Sequence, residues 1–156
     1  MNALAVSVQS SKGKAIMNDV NQSKNEIICK QLFHEFRGIL SWKWDDWIGT
    51  FLAEFDADRE KDIRTILEKH LPISWDDSTI NTAPSVVKAL DEHLGGLRSM
   101  QYLFSSDPSN EVFVFCAWWP WGNGTTISLR VAPFNGSLSN PEEDKLLAQL
   151  KVSAGI

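Results

Sequence analysis

The length and composition of this chain are those of one globular domain: it has 156 residues, of which 43% are apolar and 22% are charged. Its formal net charge is −5 and its 15 basic residues are scattered. This argues against nucleic acid or an anionic membrane surface as a partner, since both need clustered Lys and Arg. No apolar run is long enough to span a bilayer and no secretory signal pattern opens the chain, so we expect a cytoplasmic protein without membrane contact.

The first stretch of the chain predicts a polar arm. Residues 1–24 are interrupted by Ser, Asn, Gln and Lys and contain no aromatic side chain, a composition typical of segments that bury little surface. Within it, residues 4–8 have enough apolar side chains for a short strand at a sheet edge. We therefore expect an N-terminal arm over 1–24, followed by a single α+β domain over 25–156.

Three helices are predicted next. The first, over 26–40, has apolar residues at helical spacing. The second, over 41–55, follows that spacing more strictly, which predicts that its tryptophans lie in the core; its apolar stripe comprises Trp44, Trp47, Ile48, Phe51, Leu52 and Phe55. The third runs over 56–70, and the second and third could also form one bent helix.

Residues 72–83 are predicted to form the one long internal loop. They contain Trp75 and the paired carboxylates Asp76 and Asp77, and long loops of this kind often carry function. A helix is expected over 84–94, because a proline opens it and two glycines follow it.

The second half of the chain predicts an antiparallel sheet. Asn123-Gly124 favours a type I′ turn between two strands, because both residues tolerate the positive φ that this turn requires. A C-terminal helix from Asn140 should pack on the sheet. The expected fold class is α+β, with N-terminal helices, a central Asn-Gly hairpin and a C-terminal helix. The sheet is expected to be a three-stranded meander over 98–105, 111–119 and 125–133, with the second strand central.

The predicted central strand is apolar on both faces, whereas the strand that follows it alternates between apolar and polar side chains. One apolar set of the central strand, such as that of Phe113 and Phe115, therefore lies beside the polar side of that neighbour, which carries Arg130. Leaving them exposed would create a patch larger than most monomers show. We expect a homodimer or a protein partner to cover this face, and the competing cover is the N-terminal arm or the first helix of the same chain.

Catalytic and metal chemistry find little support in the sequence. His34, His70 and His93 fall on different predicted helices without the spacing of metal ligands. Cys29 and Cys116 are expected to be reduced and buried, since two cysteines give no disulfide framework. A cysteine within an apolar strand is more typical of a core than of a nucleophile. We expect no cofactor, no metal and no catalytic residue.

The residues expected to bind a partner surround the predicted hairpin. Trp119 and Trp121 stand beside a turn and are hard to bury, and exposed indoles suit a protein interface or stacking on a flat ligand. The sequence favours a non-enzymatic protein-binding or self-associating module. One alternative binds a small apolar or aromatic ligand in a Trp-lined pocket between sheet and helices; a less favoured one is a small hydrolase that uses Cys116 or the Asp76-Asp77 loop. The candidate binding residues are Trp75, Phe113, Phe115, Trp118, Trp119, Trp121 and Arg130.

Overall fold

The computed structural model describes residues 24–109, 112–135 and 140–156, so the predicted strand over 4–8 and nearly all of the predicted arm lie outside the described residues. Helices and strands alternate irregularly along this part of the chain. Short 3-10 turns at Ala57–Arg59 and Ile80–Thr82 precede the second and third helices. The elements are α1 (24–35), β1 (Lys43–Asp45), β2 (Thr50–Asp56), α2 (Glu60–His70), β3 (Ile73–Trp75), α3 (Ser85–His93), β4 (Tyr102–Ser105), β5 (Val112–Pro120), β6 (Thr126–Asn135) and α4 (Asn140–Ala154).

All six strands belong to one sheet, in the order β1-β2-β6-β5-β4-β3, and every neighbouring pair is antiparallel. Helices combined with an antiparallel sheet confirm the α+β class. The prediction of a three-stranded meander is wrong, because β1, β2 and β3 add three strands from segments predicted to be helical or irregular. β6, and not only β5, lies in the interior of the sheet.

Residues 41–55 form the β1–β2 hairpin, so the predictions of a helix here and of one bent helix with the next segment are both wrong. The apolar residues of this segment fit both the spacing of a helix and the two-residue alternation of a strand. Phe51, Ala53 and Phe55 alternate along β2 and all three are buried on one face of the sheet. Gly49 has a φ of +79° in the connecting turn, a conformation that a right-handed helix excludes.

The turn between β5 and β6 is not the two-residue type I′ turn that the sequence predicts. Asn123 lacks the positive φ that this turn requires, and Gly124, with a φ of +73°, takes the left-handed position instead. Its N–H donates to the carbonyl oxygen of Trp121 at 3.2 Å. The Oδ1 atom of Asn123 accepts the N–H groups of Thr125 and Thr126 at 2.9 and 3.1 Å. The asparagine therefore stabilises the turn through its side chain, as in an Asx turn.

The first face of the sheet is covered by α1, α2 and α4. Side chains from these helices and from all four central strands form one apolar cluster, in which Phe33, Phe36, Phe51 and Phe104 are fully buried. A bridge of polar groups joins two of the helices at their surface: Glu35 on α1 accepts from Lys69 at 2.7 Å and contacts His70 on α2 at 2.8 Å.

The second face is covered by α3 and the 3-10 turn before it. Val87 and Leu90 pack on Phe113 and Phe115, and all four side chains are buried. The premise that Phe113 and Phe115 lack a cover is therefore wrong. Among the described residues the cover is α3 and not the first helix, and the segment that forms α3 precedes in the chain the strands that it covers.

Candidate functional site

Beyond α3, the second face of the sheet ends in an aromatic surface at the β5–β6 hairpin. We call it the tryptophan face and define it by Trp119, Trp121, Ser128 and Arg130. The side chains of residues 119, 128 and 130 point to this side because they share the alternation of Phe113 and Phe115 across the β5–β6 pairing. Trp121 is 44% exposed and Trp119 is partly buried. The face is therefore accessible but backed by the sheet.

One serine fixes the position of the Trp121 indole. The indole N–H of Trp121 donates to Ser128 Oγ at 2.6 Å. Because Ser128 is buried, its hydroxyl is a fixed acceptor. Trp119 is the residue paired with Ser128 across the strands, so both tryptophans lie near the same point of β6.

A second set of contacts fixes Arg130 across the face of Trp119. The guanidinium carbon lies 5.2 Å from the centroid of the Trp119 ring, within cation–π range. Its Nη1 donates to Asp45 Oδ2 and, at 3.4 Å, to the hydroxyl of Thr50. This ion pair is 15% exposed at Arg130 and 21% at Asp45. The positive charge on the face is therefore neutralised by β1.

The Asp45 carboxylate connects the tryptophan face to the β1–β2 turn. Its Oδ1 accepts the backbone N–H of Trp47 at 2.9 Å while Oδ2 accepts from Arg130. The hydrogen bond from Arg130, aided by the N–H of Trp47, lowers the pKa of the Asp45 carboxyl below its ordinary value, although desolvation opposes the shift. Asp45 is thus ionised and bridging at neutral pH.

Three of the seven predicted binding residues come together on the tryptophan face, namely Trp119, Trp121 and Arg130. The other four are core residues. Trp118 is 2% exposed and lies on the opposite face of the sheet, where its ring packs edgewise against Phe55 at 5.4 Å. Trp75, Phe113 and Phe115 are buried with α3 in the apolar cluster of the second face.

The sequence prediction missed Trp47, which is 93% exposed at the tip of the β1–β2 hairpin. It was expected in the core because its spacing from Trp44 and Phe51 is helical. Two local signals point the other way. Gly49 follows two residues later, and the adjacent acids act as turn caps: Asp45 accepts the N–H of Trp47, and Asp46 accepts the indole N–H of Trp44 at 2.7 Å.

The two cysteines and the Asp76 carboxylate, which are the candidates for catalysis, are explained by their roles in the core and in a turn. Cys29 and Cys116 are free and buried as predicted, and burial raises the pKa of both thiols, that of Cys29 to about 12. The Oδ1 atom of Asp76 accepts the N–H groups of Ser78 and Thr79 at 2.9 and 3.0 Å, which makes it a turn cap. Within the described residues, no group of three or more His, Cys, Asp or Glu side chains could hold a metal ion.

Cavities lie beside both faces of the described part of the sheet. One of about 370 Å³ lies beside α3 at the second face and has His93 and Glu143 among its lining residues. Its described lining contains no tryptophan. The other, of about 450 Å³, lies between α2 and the first face, and an edge of Trp118 contributes to it. Neither of these two cavities is lined by Trp119 or Trp121.

No helix in the described ranges is both long enough and apolar enough to cross a membrane. Family models, curated proteins and solved structures were each compared with this chain, and none of them matches it.

Proposed function

We propose that this chain is a non-enzymatic protein-binding module that engages its partner through the tryptophan face. The observation that carries the proposal is the large exposed fraction of Trp121 together with its fixed indole N–H. Tryptophan and arginine are the side chains most enriched among the residues that dominate binding energy in protein interfaces. Here both types occur on one small surface, on which Trp121 is the most exposed of the four side chains.

Preorganisation supports this assignment. Ordering a free side chain on binding costs about 0.5–1.5 kcal/mol. Trp121 is held by Ser128, and Arg130 is held by Asp45 and by the Trp119 ring. Much of that ordering cost is therefore met during folding, which favours affinity for a partner surface.

The polarity of the face indicates what kind of surface it fits. The indole N–H of Trp121 donates to the serine hydroxyl, and Nη1 of Arg130 is paired with Asp45, so a partner gains little by presenting charges. Nε of Arg130 is buried and has no hydrogen-bond partner among the described residues. A partner surface of apolar side chains with few charged groups suits the exposed indole. A second copy of this chain and a different protein both meet this description.

Substitution of Trp121 separates binding from folding. Trp121→Ala is expected to melt within a few degrees of the wild type, because the ring is half exposed, yet to weaken a complex by about 2 kcal/mol or more, roughly thirtyfold in Kd. The measurement is affinity purification from the native source with quantitative mass spectrometry, followed by titration of the recovered partner. Val152→Ala is the matched control, since Val152 is 76% exposed on α4.

Retention of the same partner by Trp121→Ala, with unchanged Kd, would refute the proposal. So would a large fall in the denaturation midpoint, which would make Trp121 a folding residue.

Sedimentation equilibrium at micromolar concentration distinguishes the two kinds of partner. Phe113 and Phe115 are buried by α3, so a homodimer would have to form through the tryptophan face. A wild-type dimer that becomes a monomer in Trp121→Ala would identify a second copy as the partner. A monomer in both cases would direct the search to another protein.

A second candidate function, binding of a small aromatic ligand, is favoured by the cavity beside Trp118. That cavity lies on the first face of the sheet and is independent of the tryptophan face.

A further inference from the structure

The cavity between α2 and the first face of the sheet combines aromatic and cationic groups. Its volume of about 450 Å³ lies in the usual range for small-ligand sites. The aromatic side is made by Tyr102 on β4 and by Trp118, next to Pro120, on β5. The charged side is made by the first two turns of α2, which contribute Lys61 and Arg64 together with Glu60.

Arg64 is held in a fixed orientation at this cavity. Its guanidinium carbon lies 4.7 Å from the centroid of the Tyr102 ring and 5.5 Å from that of Phe104. Its Nε donates to Glu68 Oε1 at 2.8 Å. Because Glu68 engages only one edge of the guanidinium, the terminal amino groups keep donor capacity for a ligand. A planar guanidinium in this state is suited to bind a carboxylate by donating two parallel hydrogen bonds to its oxygens.

Two cations at the cavity are placed to meet an anion. Lys61 and Arg64 are three residues apart on α2 and thus project from neighbouring positions of the helix surface. Glu60 and Glu68 carry opposing charges, and Glu68 is paired with Arg64, so the four side chains sum to zero. A carboxylate placed between Lys61 and the terminal amino groups of Arg64 would contact both cations, whereas a cation there would meet two like charges.

Met100 completes the rim with an unusual backbone conformation. Its φ is +70°, the only positive value among the described residues other than glycine, and the side chain is 69% exposed. A non-glycine residue in this region is uncommon. Met100 and Tyr102 both line the cavity, and methionine sulfur makes favourable contacts with aromatic rings. An aromatic ligand would therefore have an apolar surface to cover it.

We propose that this cavity binds a small aromatic carboxylate, with the carboxylate on Arg64 and Lys61 and the ring among Tyr102, Pro120 and Met100. The site does not depend on the proposed protein-binding function, because it lies on the opposite face of the sheet.

Methionine methyl signals provide a direct readout. The chain contains three methionines, Met1, Met17 and Met100, so protein labelled with 13C-methyl methionine gives a simple spectrum, and Met100→Leu assigns the signal of interest. On titration with 2-naphthoate, the Met100 signal should shift and saturate, because the ring current of a bound naphthalene acts on it.

Variants identify the charged groups. Arg64→Gln should weaken 2-naphthoate binding about tenfold, since a hydrogen bond to a charged group is lost, and Lys61→Gln should weaken it several-fold. Arg37→Gln is the matched control, because Arg37 is exposed and lies outside the cavity; its affinity should equal that of the wild type. The neutral analogue 2-naphthamide should bind at least tenfold more weakly than 2-naphthoate.

A Met100 signal unmoved by millimolar 2-naphthoate would overturn the proposal. Equal binding of 2-naphthamide would do the same, as would an Arg64→Gln loss no larger than that of Arg37→Gln. Tighter binding of 2-naphthylmethylammonium would show a cation site at Glu60 instead. If Arg64→Gln does not fold, Lys61→Gln decides, because Lys61 is exposed. None of these outcomes bears on Trp121, whose binding test uses a protein partner.

Discussion

At the scale of single residues, Asp45 on β1 connects the tryptophan face to the β1–β2 turn. One oxygen of its carboxylate holds Arg130 against Trp119, and the other holds the backbone of Trp47 in the β1–β2 turn. Loss of the negative charge would release both contacts at once and would leave the partly buried guanidinium of Arg130 without its counter-ion. The geometry of the indoles therefore depends on the ionisation of a residue on another strand.

Asp45→Asn should make the free energy of unfolding fall less steeply as the pH is lowered into the acid range. The pKa of Asp45 is lowered in the folded chain, so its stabilisation is present above the ordinary aspartate value of about 3.9 and is lost as the pH falls through the folded value. Urea midpoints should show Asp45→Asn to be weaker than the wild type at about pH 6, with the two curves converging as the pH falls below the ordinary aspartate value.

The control is Asp77→Asn, which removes an exposed carboxylate next to the Asp76 turn cap and should leave the shape of the pH curve unchanged. A curve for Asp45→Asn that stays parallel to the wild-type curve would contradict the role given to this ion pair.

At the scale of elements, the β5–β6 turn offers a comparison between two glycines. Gly124 has a φ of +73°, whereas Gly122 is outside the left-handed region, and a Cβ atom at either position would meet nothing within 4 Å. Gly124→Ala should therefore cost about 1 kcal/mol of folding free energy through backbone strain alone. Gly122→Ala should cost little. Chemical denaturation of both variants measures the difference, and equal effects would show that the backbone conformation of Gly124 is not the cause.

The same scale shows what the sequence could predict. The helices over 60–70 and 85–93 carry the expected apolar stripes, and their buried residues lie on those stripes. The segment 41–55 was misread because aromatic residues at both three- and four-residue spacings also satisfy a two-residue alternation along β2. Pairing with β6 decides between these readings, since it buries Phe51 and Phe55 on one face, and a local pattern does not contain that information.

The candidate site was predictable to a similar extent. Alternation along the strands separates the two faces but leaves open which apolar set of β5 shares a face with Arg130, and the pairing of Ala117 with Arg130 decides this. Proximity to a turn indicates that Trp121 is exposed. Burial of Phe113 and Phe115 depends on where α3 lies over the sheet, which is a tertiary fact. Trp47 was assigned to the core for the same reason that its segment was assigned to a helix.

At the scale of the whole molecule, α3 gives the sheet its second covered face. Leu90 is almost fully buried against it. Leu90→Ala should lower the free energy of unfolding by about 2–4 kcal/mol, because it removes buried methyl groups and leaves a cavity. Guanidinium denaturation is the measurement, with exposed Val152→Ala as the control, expected within about 0.5 kcal/mol of the wild type. A loss below about 1 kcal/mol for Leu90→Ala would mean that α3 is only loosely docked.

The strand order also sets the sequence in which a nascent chain can assemble. β2 has two neighbours, its hairpin partner β1 and the late strand β6, and Asp56 pairs with Thr126 roughly 70 residues further on. At a synthesis rate of about 5–20 residues per second, roughly 4–14 s pass before that partner is made. A two-stranded hairpin alone is marginally stable in water. The β1–β2 hairpin and the β3, β4 and β5 segments are therefore synthesised before the strand that connects them in the sheet. Pairing of β6 with both β2 and β5 then joins them into one sheet.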